Sequence, residues 1–306
     1  MAAVPCRVAD DQPVTDARPA ALLSSPATIA ASRIVEARLD AATNAAQRLD
    51  DPDDHDALHD FRVAVRRLRS ALRAYRPWLG RSASRKIRSG LRDLGRATNL
   101  GRDAEVQANW VASVERNLPE NARAGAARLV EWLRRRHQLA TGELHDQLRH
   151  VAGKITERLE FCDRSGPEFT AAFAALLAQH AADAATCLAA VTRADQVENA
   201  HEARIAVKRL RYLLEPLADE IPQARPLLEK VEALQDLLGE LHDSHVVAET
   251  LAEIKASRHT PRPTLTALAA ENSKRREAVF ADLQNAWLGA APAAFFTQIQ
   301  SLATRG

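Results

Sequence analysis

Two eleven-residue segments of the chain carry residue types that bind anions. The first, His59-Asp-Phe-Arg-Val-Ala-Val-Arg-Arg-Leu-Arg69, aligns without gaps onto His201-Glu-Ala-Arg-Ile-Ala-Val-Lys-Arg-Leu-Arg211, with seven identities. A guanidinium presents a planar pair of N–H donors that fits carboxylate or phosphate oxygens, and an imidazole can hydrogen-bond or pair with the same oxygens. The alignment therefore predicts two related anion-binding elements that arose by internal duplication.

The cations of each segment fall on one face of a helix, because residues three or four apart are neighbours on its surface. An apolar face lies beside each basic stripe, so each helix can bury one side and keep the other at the rim of a core. A third stripe follows on the next helix and has no basic counterpart at 223–240. The predicted binding residues are His59, Arg62, Arg66, Arg69 and Arg73 in the first stripe, His201, Arg204, Lys208 and Arg211 in the second, and Arg81, Arg85, Arg88 and Arg92 in the third.

Two further arginines of the repeated segments lie away from the stripes. Arg67 and Arg209 are about 100° from the basic face on a helical projection. We expect them to make structural ion pairs and not to contact the ligand.

The charge of the chain is distributed unevenly. The 306 residues include 42 basic and 40 acidic side chains, which gives a net charge of +2. Residues 59–102 alone carry a net charge of +11, so the rest of the chain carries −9. Like charges three or four residues apart cost a few tenths of a kcal/mol each, roughly, and an anionic ligand would remove that cost. The distribution predicts a local anion site and not a generally basic protein.

Two other functions are compatible with some of these residues. The same cations could bind nucleic acid, although a net charge near zero and few aromatic residues argue against it. His-Asp pairs at 59, 145 and 242, together with His245, could also indicate a metal-dependent phosphohydrolase. A divalent cation would be repelled by the neighbouring guanidiniums, and no nucleophile motif or phosphate-binding glycine loop is present in the sequence. We expect a binding protein without catalytic residues, metal or cofactor.

The composition predicts an all-α protein. Glycine and aromatic residues are scarce, and the abundant Ala, Leu, Arg, Glu and Gln favour helices. Cys6, Cys162 and Cys187 are too scattered for a disulfide framework, and no leader or membrane span is expected, so we predict a cytoplasmic protein. Residues 1–26 should form a disordered tail. Helices are predicted at about 27–49, 54–76, 82–99, 102–117, 120–161, 168–191, 196–218, 223–240, 243–258 and 262–289.

The two motifs, with Leu100-Gly101 and Leu238-Gly239 after them, resemble those of the CHAD family, the conserved histidine α-helical domain. The resemblance covers about residues 27–303, divided into halves at about 27–162 and 167–303. It implies two antiparallel helical-bundle halves related by a pseudo-twofold axis around a basic central tunnel or groove. The departures from the family pattern are Phe61 against Ala203, and the missing third basic stripe in the second half.

The same resemblance implies a function. Members of this family bind inorganic polyphosphate, often at polyphosphate granules, where granule-associated proteins would be further partners. The CYTH triphosphatase domain that often accompanies the family is absent from this sequence, so the resemblance implies a standalone binding protein. Positions matching the family motif are His59, Arg62, Arg66, Arg67 and Arg69 in the first copy and His201, Arg204, Lys208, Arg209 and Arg211 in the second.

Overall fold

A computed structural model describes residues 22–51, 54, 56–138, 144–159, 167–218, 220–254, 260–289 and 291–302. The prediction of an all-α fold is confirmed, since these residues form helices and contain no β-strand. The α-helices are α1 (Ala27–Gln47), α2 (Ala57–Ala74), α3 (Arg76–Leu79), α4 (Arg85–Val114), α5 (Glu120–Gln138), α6 (Leu144–Leu159), α7 (Phe169–Ala189), α8 (Val197–Leu214), α9 (Ala224–Glu253), α10 (Arg262–Trp287) and α11 (Ala291–Ser301).

Most of the predicted tail, residues 1–21, lies outside the described residues. The described chain begins with a 3-10 turn at Leu22–Ser24, a few residues before the predicted start of order. The Leu22 backbone N–H donates a hydrogen bond to a carboxylate oxygen of Glu220 at 2.7 Å. This bond ties the start of the described chain to the segment that follows α8.

The apolar side chains form two clusters, and the long helices α4 and α9 contribute to both. The larger cluster is built by α1, α2, α3, α6, α7, α8 and α11 with the first parts of α4 and α9 and the last part of α10, and it contains Phe61, Leu68 and Phe173. The smaller cluster joins the second parts of α4 and α9 to α5 and α10. Helices α2 and α8 therefore lie in the larger cluster, with their apolar faces buried.

The starts of α1 and α7 are paired by backbone hydrogen bonds. The Ala27 N–H donates to the carbonyl of Pro167 at 2.9 Å, and the Phe169 N–H donates to the carbonyl of Ser25 at 3.0 Å. Both helices contain 21 residues. The pairing satisfies one otherwise unpaired N–H group at each helix start.

Several predicted helix boundaries differ from the structure. The pairs 82–99 with 102–117 and 223–240 with 243–258 are each one continuous helix, α4 and α9, which include Gly101 and Gly239. A glycine inside a helix costs about 1 kcal/mol relative to alanine. Packing along both helices outweighs that cost, since α4 contacts α5 and α6 and α9 contacts α8 and α10.

Two other regions compare as follows. The helix predicted at 120–161 corresponds to α5 and α6, which pack respectively against the second and first parts of α4, and residues 139–143 between them lie outside the described residues. Helix α11 was not predicted. Gly289 separates it from α10 with a φ of 124°, a backbone conformation that favours glycine.

Helix α7 is apolar over most of its length. Among the described residues it alone is long and apolar enough, by length and composition, to cross a membrane. Its residues Phe173, Leu177 and Leu188 are buried in the larger cluster.

A buried carboxylate joins three helices beside the basic faces. Glu215, whose side chain is 8% exposed, lies directly after α8 in a 3-10 turn. Its oxygens lie 3.1 Å from Arg38 Nη2 of α1, 2.9 Å from Arg67 Nε of α2 and 3.3 Å from Arg211 Nε of α8. We call Glu215 and these three arginines the Glu215 cluster. The expected structural ion pair of Arg67 is present here.

We predict that Glu215→Ala lowers the free energy of unfolding by about 3 kcal/mol, because it leaves three partly buried guanidiniums without their shared carboxylate. Urea denaturation followed by circular dichroism measures the change. Glu249→Ala is the matched control, since it removes an exposed carboxylate of α9. The control should change stability by less than about 0.5 kcal/mol. Equal effects of the two substitutions would show that the Glu215 cluster does not stabilise the fold.

Candidate anion-binding groove

The basic faces of α2 and α8 meet α4 and α7 around an open groove of about 930 Å³. Its lining contains nine cationic side chains, seven from residues 66–92 and two from α8. In the described part of the chain no acidic residue belongs to this lining. The cations are Arg66, Arg69, Arg73, Arg76, Arg85, Arg88, Arg92, Lys208 and Arg209, and the other polar residues are Ser70, Ser89, His180 and Tyr212. We call this site the anion groove.

The anion groove is positioned by the amphipathic character of α2 and α8. Phe61, Leu68 and Leu72 of α2 are buried, as are Val207 and Leu210 of α8. With those faces in the larger cluster, the adjacent faces are directed to the space between the two helices and α4. Apolar burial therefore places the cations of different helices in one groove.

Arg69 lies among other arginines in the anion groove. It is half-buried, and its pKa is lowered by burial and then by the charges of Arg92, Arg96, Arg66 and Arg73. On α4, Gly95 leaves room for its guanidinium, because a Cβ added there would lie only 2.7 Å from Arg69 Nη1. The close approach to α4 keeps Arg69 near the third basic stripe.

At the α8 side of the groove a lysine is held near several guanidiniums. Burial, followed by the charges of Arg204 and Arg66, lowers the pKa of Lys208 to about 6, while Asp243 acts in the opposite direction. Arg66 is fixed by its own hydrogen bond, in which its Nε donates to the hydroxyl of Tyr212 at 2.5 Å. Lys208 is thus largely neutral above about pH 7 when the groove holds no anion.

The two motif histidines do not line the groove. His201 lies with its ring 5.4 Å from that of His242, and burial and Arg204 are the main causes that lower the pKa of His242 to about 3. The pKa of His201 is also lowered, by burial and then by Arg204 and Lys208. His59 is exposed at the start of α2. The histidines on α8 and α9 therefore lie beyond Lys208 and Arg204, next to the α8 side of the groove.

The structure brings together about half of the predicted binding residues. Those that line the anion groove are Arg66, Arg69, Arg73, Arg85, Arg88, Arg92 and Lys208. Those outside its lining are His59, Arg62, Arg81, His201, Arg204 and Arg211. Arg62 and Arg204 still act electrostatically on Lys208, so they lie near the groove. Arg211 is instead paired with Glu215 and with Glu232 of α9, at 2.9 Å.

Sequence reasoning missed six polar residues of the lining, which are Ser70, Arg76, Ser89, His180, Arg209 and Tyr212. Arg76 belongs to the short helix α3, His180 comes from α7, and Tyr212 lies beside the basic stripe of α8, where its hydroxyl accepts a hydrogen bond from Arg66. Arg209 was expected to form an ion pair but lines the groove beside Arg73. The alignment could have identified Arg209. It pairs Arg67 with Arg209 and Glu215 with Arg73, so the residue that corresponds to the acidic partner of Arg67 is itself basic.

The alternative of a metal-dependent phosphohydrolase has no geometric support in the described residues, where no group of three His, Cys, Asp or Glu side chains could hold a metal ion. Asp60 is paired with Arg48. His145 of the second His-Asp pair lies on α6 at a position whose side chain is outside the described part.

Comparison with known proteins identifies relatives of most of the helical region. The model of the family described as CHAD domain matches residues 33–252. A curated relative, the uncharacterized protein MT2285 of Mycobacterium tuberculosis (strain CDC 1551 / Oshkosh), is 29% identical over 219 residues. That alignment covers 66% of this chain and 41% of the relative, so the chain spans less than half of the relative's length.

Two solved structures are similar in fold. The CHAD domain from the plant Ricinus communis has a TM-score of 0.61 and 22% identity, with 92% of this chain and 93% of that chain covered. PptA from Streptomyces chartreusis has a TM-score of 0.66 and 17% identity, with 86% of this chain and 99% of that chain covered. At these identities the likeness is one of fold.

The electrostatics of the groove predict opposite effects for two neighbouring arginines of α2. Arg69→Met should raise the free energy of unfolding by about 0.5 kcal/mol at low ionic strength, because it removes a half-buried charge from among like charges. Arg67→Met should lower it by about 1 kcal/mol, because it breaks the ion pair with Glu215. Urea denaturation at low and high salt measures both, and added salt should shrink the Arg69 effect. A loss of stability with Arg69→Met would mean that its charge is compensated.

Proposed function

The chain belongs to the CHAD domain family, and we propose that it binds inorganic polyphosphate in the anion groove without transforming it. The observation that carries this proposal is the groove lining, in which nine cations from α2, α3, α4 and α8 face one space and no acid accompanies them among the described residues. Polyphosphate is a flexible chain with a negative charge on each phosphate. A row of guanidiniums suits it, since each can bind two non-bridging oxygens.

The composition of the groove favours polyphosphate over nucleic acid. Single-stranded nucleic acids are bound by cations combined with aromatic side chains on which the bases stack. Tyr212 is the one aromatic residue among the described groove lining; it is buried, and its hydroxyl already accepts a hydrogen bond from Arg66. The groove thus offers many phosphate contacts and no exposed stacking surface.

The proposal includes an architecture and a location. Two halves, at about 27–162 and 167–303, would be related by a pseudo-twofold axis around a central tunnel of which the anion groove is one part. Equal helix lengths support this relation, since α2 and α8 both contain 18 residues and α4 and α9 both contain 30. We place the protein in the cytoplasm at polyphosphate granules, because that is where its ligand would accumulate.

Replacing three groove arginines should weaken binding and reduce its dependence on salt. For single-stranded polyanions, log K falls with log salt by about 0.7 for each neutralised phosphate. The combined substitutions Arg69→Gln, Arg88→Gln and Arg92→Gln should therefore lower the magnitude of that slope by about 2. Titration of long-chain polyphosphate at several salt concentrations measures the slope.

Arg134→Gln, Arg135→Gln and Arg136→Gln on α5 form the matched control, since they remove the same charge from exposed positions outside the groove. The control protein should bind with nearly unchanged affinity and slope. Equal weakening in both proteins would contradict the groove as the site. If single-stranded DNA competes with polyphosphate at physiological salt, the assignment of polyphosphate as the ligand is wrong.

The lowered pKa of Lys208 predicts that binding weakens as the pH rises above about 6. Below that pH Lys208 is already charged. Above it Lys208 is neutral in the free protein and the bound anion must raise its pKa, so binding takes up a proton. Affinity therefore falls by up to about tenfold per pH unit. Lys208→Arg stays charged and should lose this part of the pH dependence, whereas Lys208→Met should bind weakly at every pH. Polyphosphate titrations between about pH 5.5 and 8.5 test this. The same slope in wild type and in Lys208→Arg would contradict it.

A further inference from the structure

The alignment of the two motifs can be extended beyond the eleven matched positions. The same offset of 142 residues continues without gaps to the ends of α2 and α8, and it also relates α1 to α7, which begin at residues 27 and 169. Each member of the Glu215 cluster therefore has an aligned position in the other half of the chain. The aligned pairs are Arg38 with His180, Arg67 with Arg209, Arg211 with Arg69 and Glu215 with Arg73.

The structure places the four aligned residues together in the anion groove, where we call them the Arg73 cluster: Arg73, Arg69, Arg209 and His180. Arg73 acts electrostatically on each of the other three. The members of the Glu215 cluster therefore lie close together, and so do the aligned members of the Arg73 cluster. They differ at two positions: Arg38 of one set corresponds to His180 of the other, and the central carboxylate, Glu215, corresponds to Arg73.

This difference inverts the electrostatics of the two clusters. In the Glu215 cluster, the carboxylate lies within 3.3 Å of all three cations. In the Arg73 cluster, burial and then Arg73 lower the pKa of Arg209, and burial is also the main cause that lowers the pKa of His180. Asp183, an exposed residue of α7, acts on both side chains, but it does not line the groove.

The contrast extends to α4 and α9, which are related by an offset of 139 residues. Arg211 also contacts Glu232 and Gln235 of α9. The aligned residues of α4 are Asp93, which is exposed and paired with Arg92, and Arg96, a further positive charge acting on Arg69. Helix α9 thus adds acceptors to the Glu215 cluster, whereas α4 adds a further positive charge to the Arg73 cluster.

We propose that one phosphate group of the ligand binds against Arg73, Arg209 and His180, at the position that corresponds to the Glu215 carboxylate in the other half. The proposal rests on the proposed function, because it identifies where a particular phosphate of the chain is bound. The Arg209 guanidinium donates to the phosphate oxygens as Arg67 does to Glu215. His180 contributes its Nδ1, which is buried without a hydrogen-bond partner among the described residues. Arg69 lies alongside, as Arg211 does beside Glu215.

Arg73→Glu tests this correspondence, because it places a carboxylate at the position aligned with Glu215. In the ligand-free protein we expect the melting temperature to rise by several degrees, since the new carboxylate would pair with Arg209. Arg76→Glu is the matched control: it makes the same change of charge in the same groove, at a position aligned with Ala218. The control should melt at about the wild-type temperature. A melting temperature of Arg73→Glu no higher than that of Arg76→Glu would overturn the correspondence.

Binding is tested with tripolyphosphate as the probe. Tripolyphosphate should raise the melting temperature of the wild type and of Arg134→Glu, which makes the same change of charge at an exposed position of α5 outside the groove, and should not raise that of Arg73→Glu. Arg209→Met and His180→Ala should each weaken tripolyphosphate binding about tenfold in calorimetric titrations, a change of about 1.4 kcal/mol. Unchanged affinity in both variants would overturn the phosphate position.

The failure of this inference can be told from the failure of the proposed function. If long-chain polyphosphate binds the wild type but Arg209→Met and His180→Ala bind it equally well, the function stands and the phosphate position is wrong. If tripolyphosphate binds in an Arg73-dependent way while long-chain polyphosphate does not bind, the phosphate position stands and the proposed function is wrong.

Discussion

The contact of Glu215 with three arginines is the interaction on which the arrangement of the basic helices depends. A single buried carboxylate lies between α1, α2 and α8, where it accepts hydrogen bonds from Arg38 and Arg67 and forms an ion pair with Arg211. Burying such a group is expensive unless it is fully paired, and three cations provide that pairing. The same contacts withdraw Arg67 and Arg211 from the space between the helices. Within the described part of the chain, no ion pair joins a cation of the groove lining to a buried carboxylate, and Arg92 is paired with the exposed Asp93.

Apolar packing makes this concentration of like charge tolerable. Burying one large aliphatic or aromatic side chain contributes about 1.5–3 kcal/mol, whereas a pair of like charges on a helix costs only about 0.2–0.5 kcal/mol. Helix α2 buries Phe61, Leu68 and Leu72 completely, and α8 buries Leu210 and Leu214. The folded chain can therefore hold several uncompensated arginines at a groove. An anion bound in the groove would relieve their mutual repulsion.

The parts of the site that were predictable follow from helix periodicity. Arg66, Arg69 and Arg73 share one face of α2, and Arg85, Arg88 and Arg92 share one face of α4, because residues three or four apart are neighbours on any α-helix. Arg211 has the same periodic position but lies outside the groove lining, because Glu215 and Glu232 bind it. His180 and Arg76 were missed because neither belongs to a basic stripe. They reach the groove only through the packing of α7 and α3.

By itself, the sequence determined that the chain is helical, that it contains two related basic motifs and that its positive charge is concentrated in residues 59–102. These properties are local, since propensity, periodicity and alignment depend on residues that are near one another along the chain. Tertiary structure alone decided which cations are neutralised and which line the groove. That choice depends on contacts between residues more than a hundred positions apart, such as Arg67 with Glu215 and Arg73 with Arg209. One aligned position is glutamate in one half and arginine in the other. The electrostatic effect of that difference depends on the side chains that helix packing places around it.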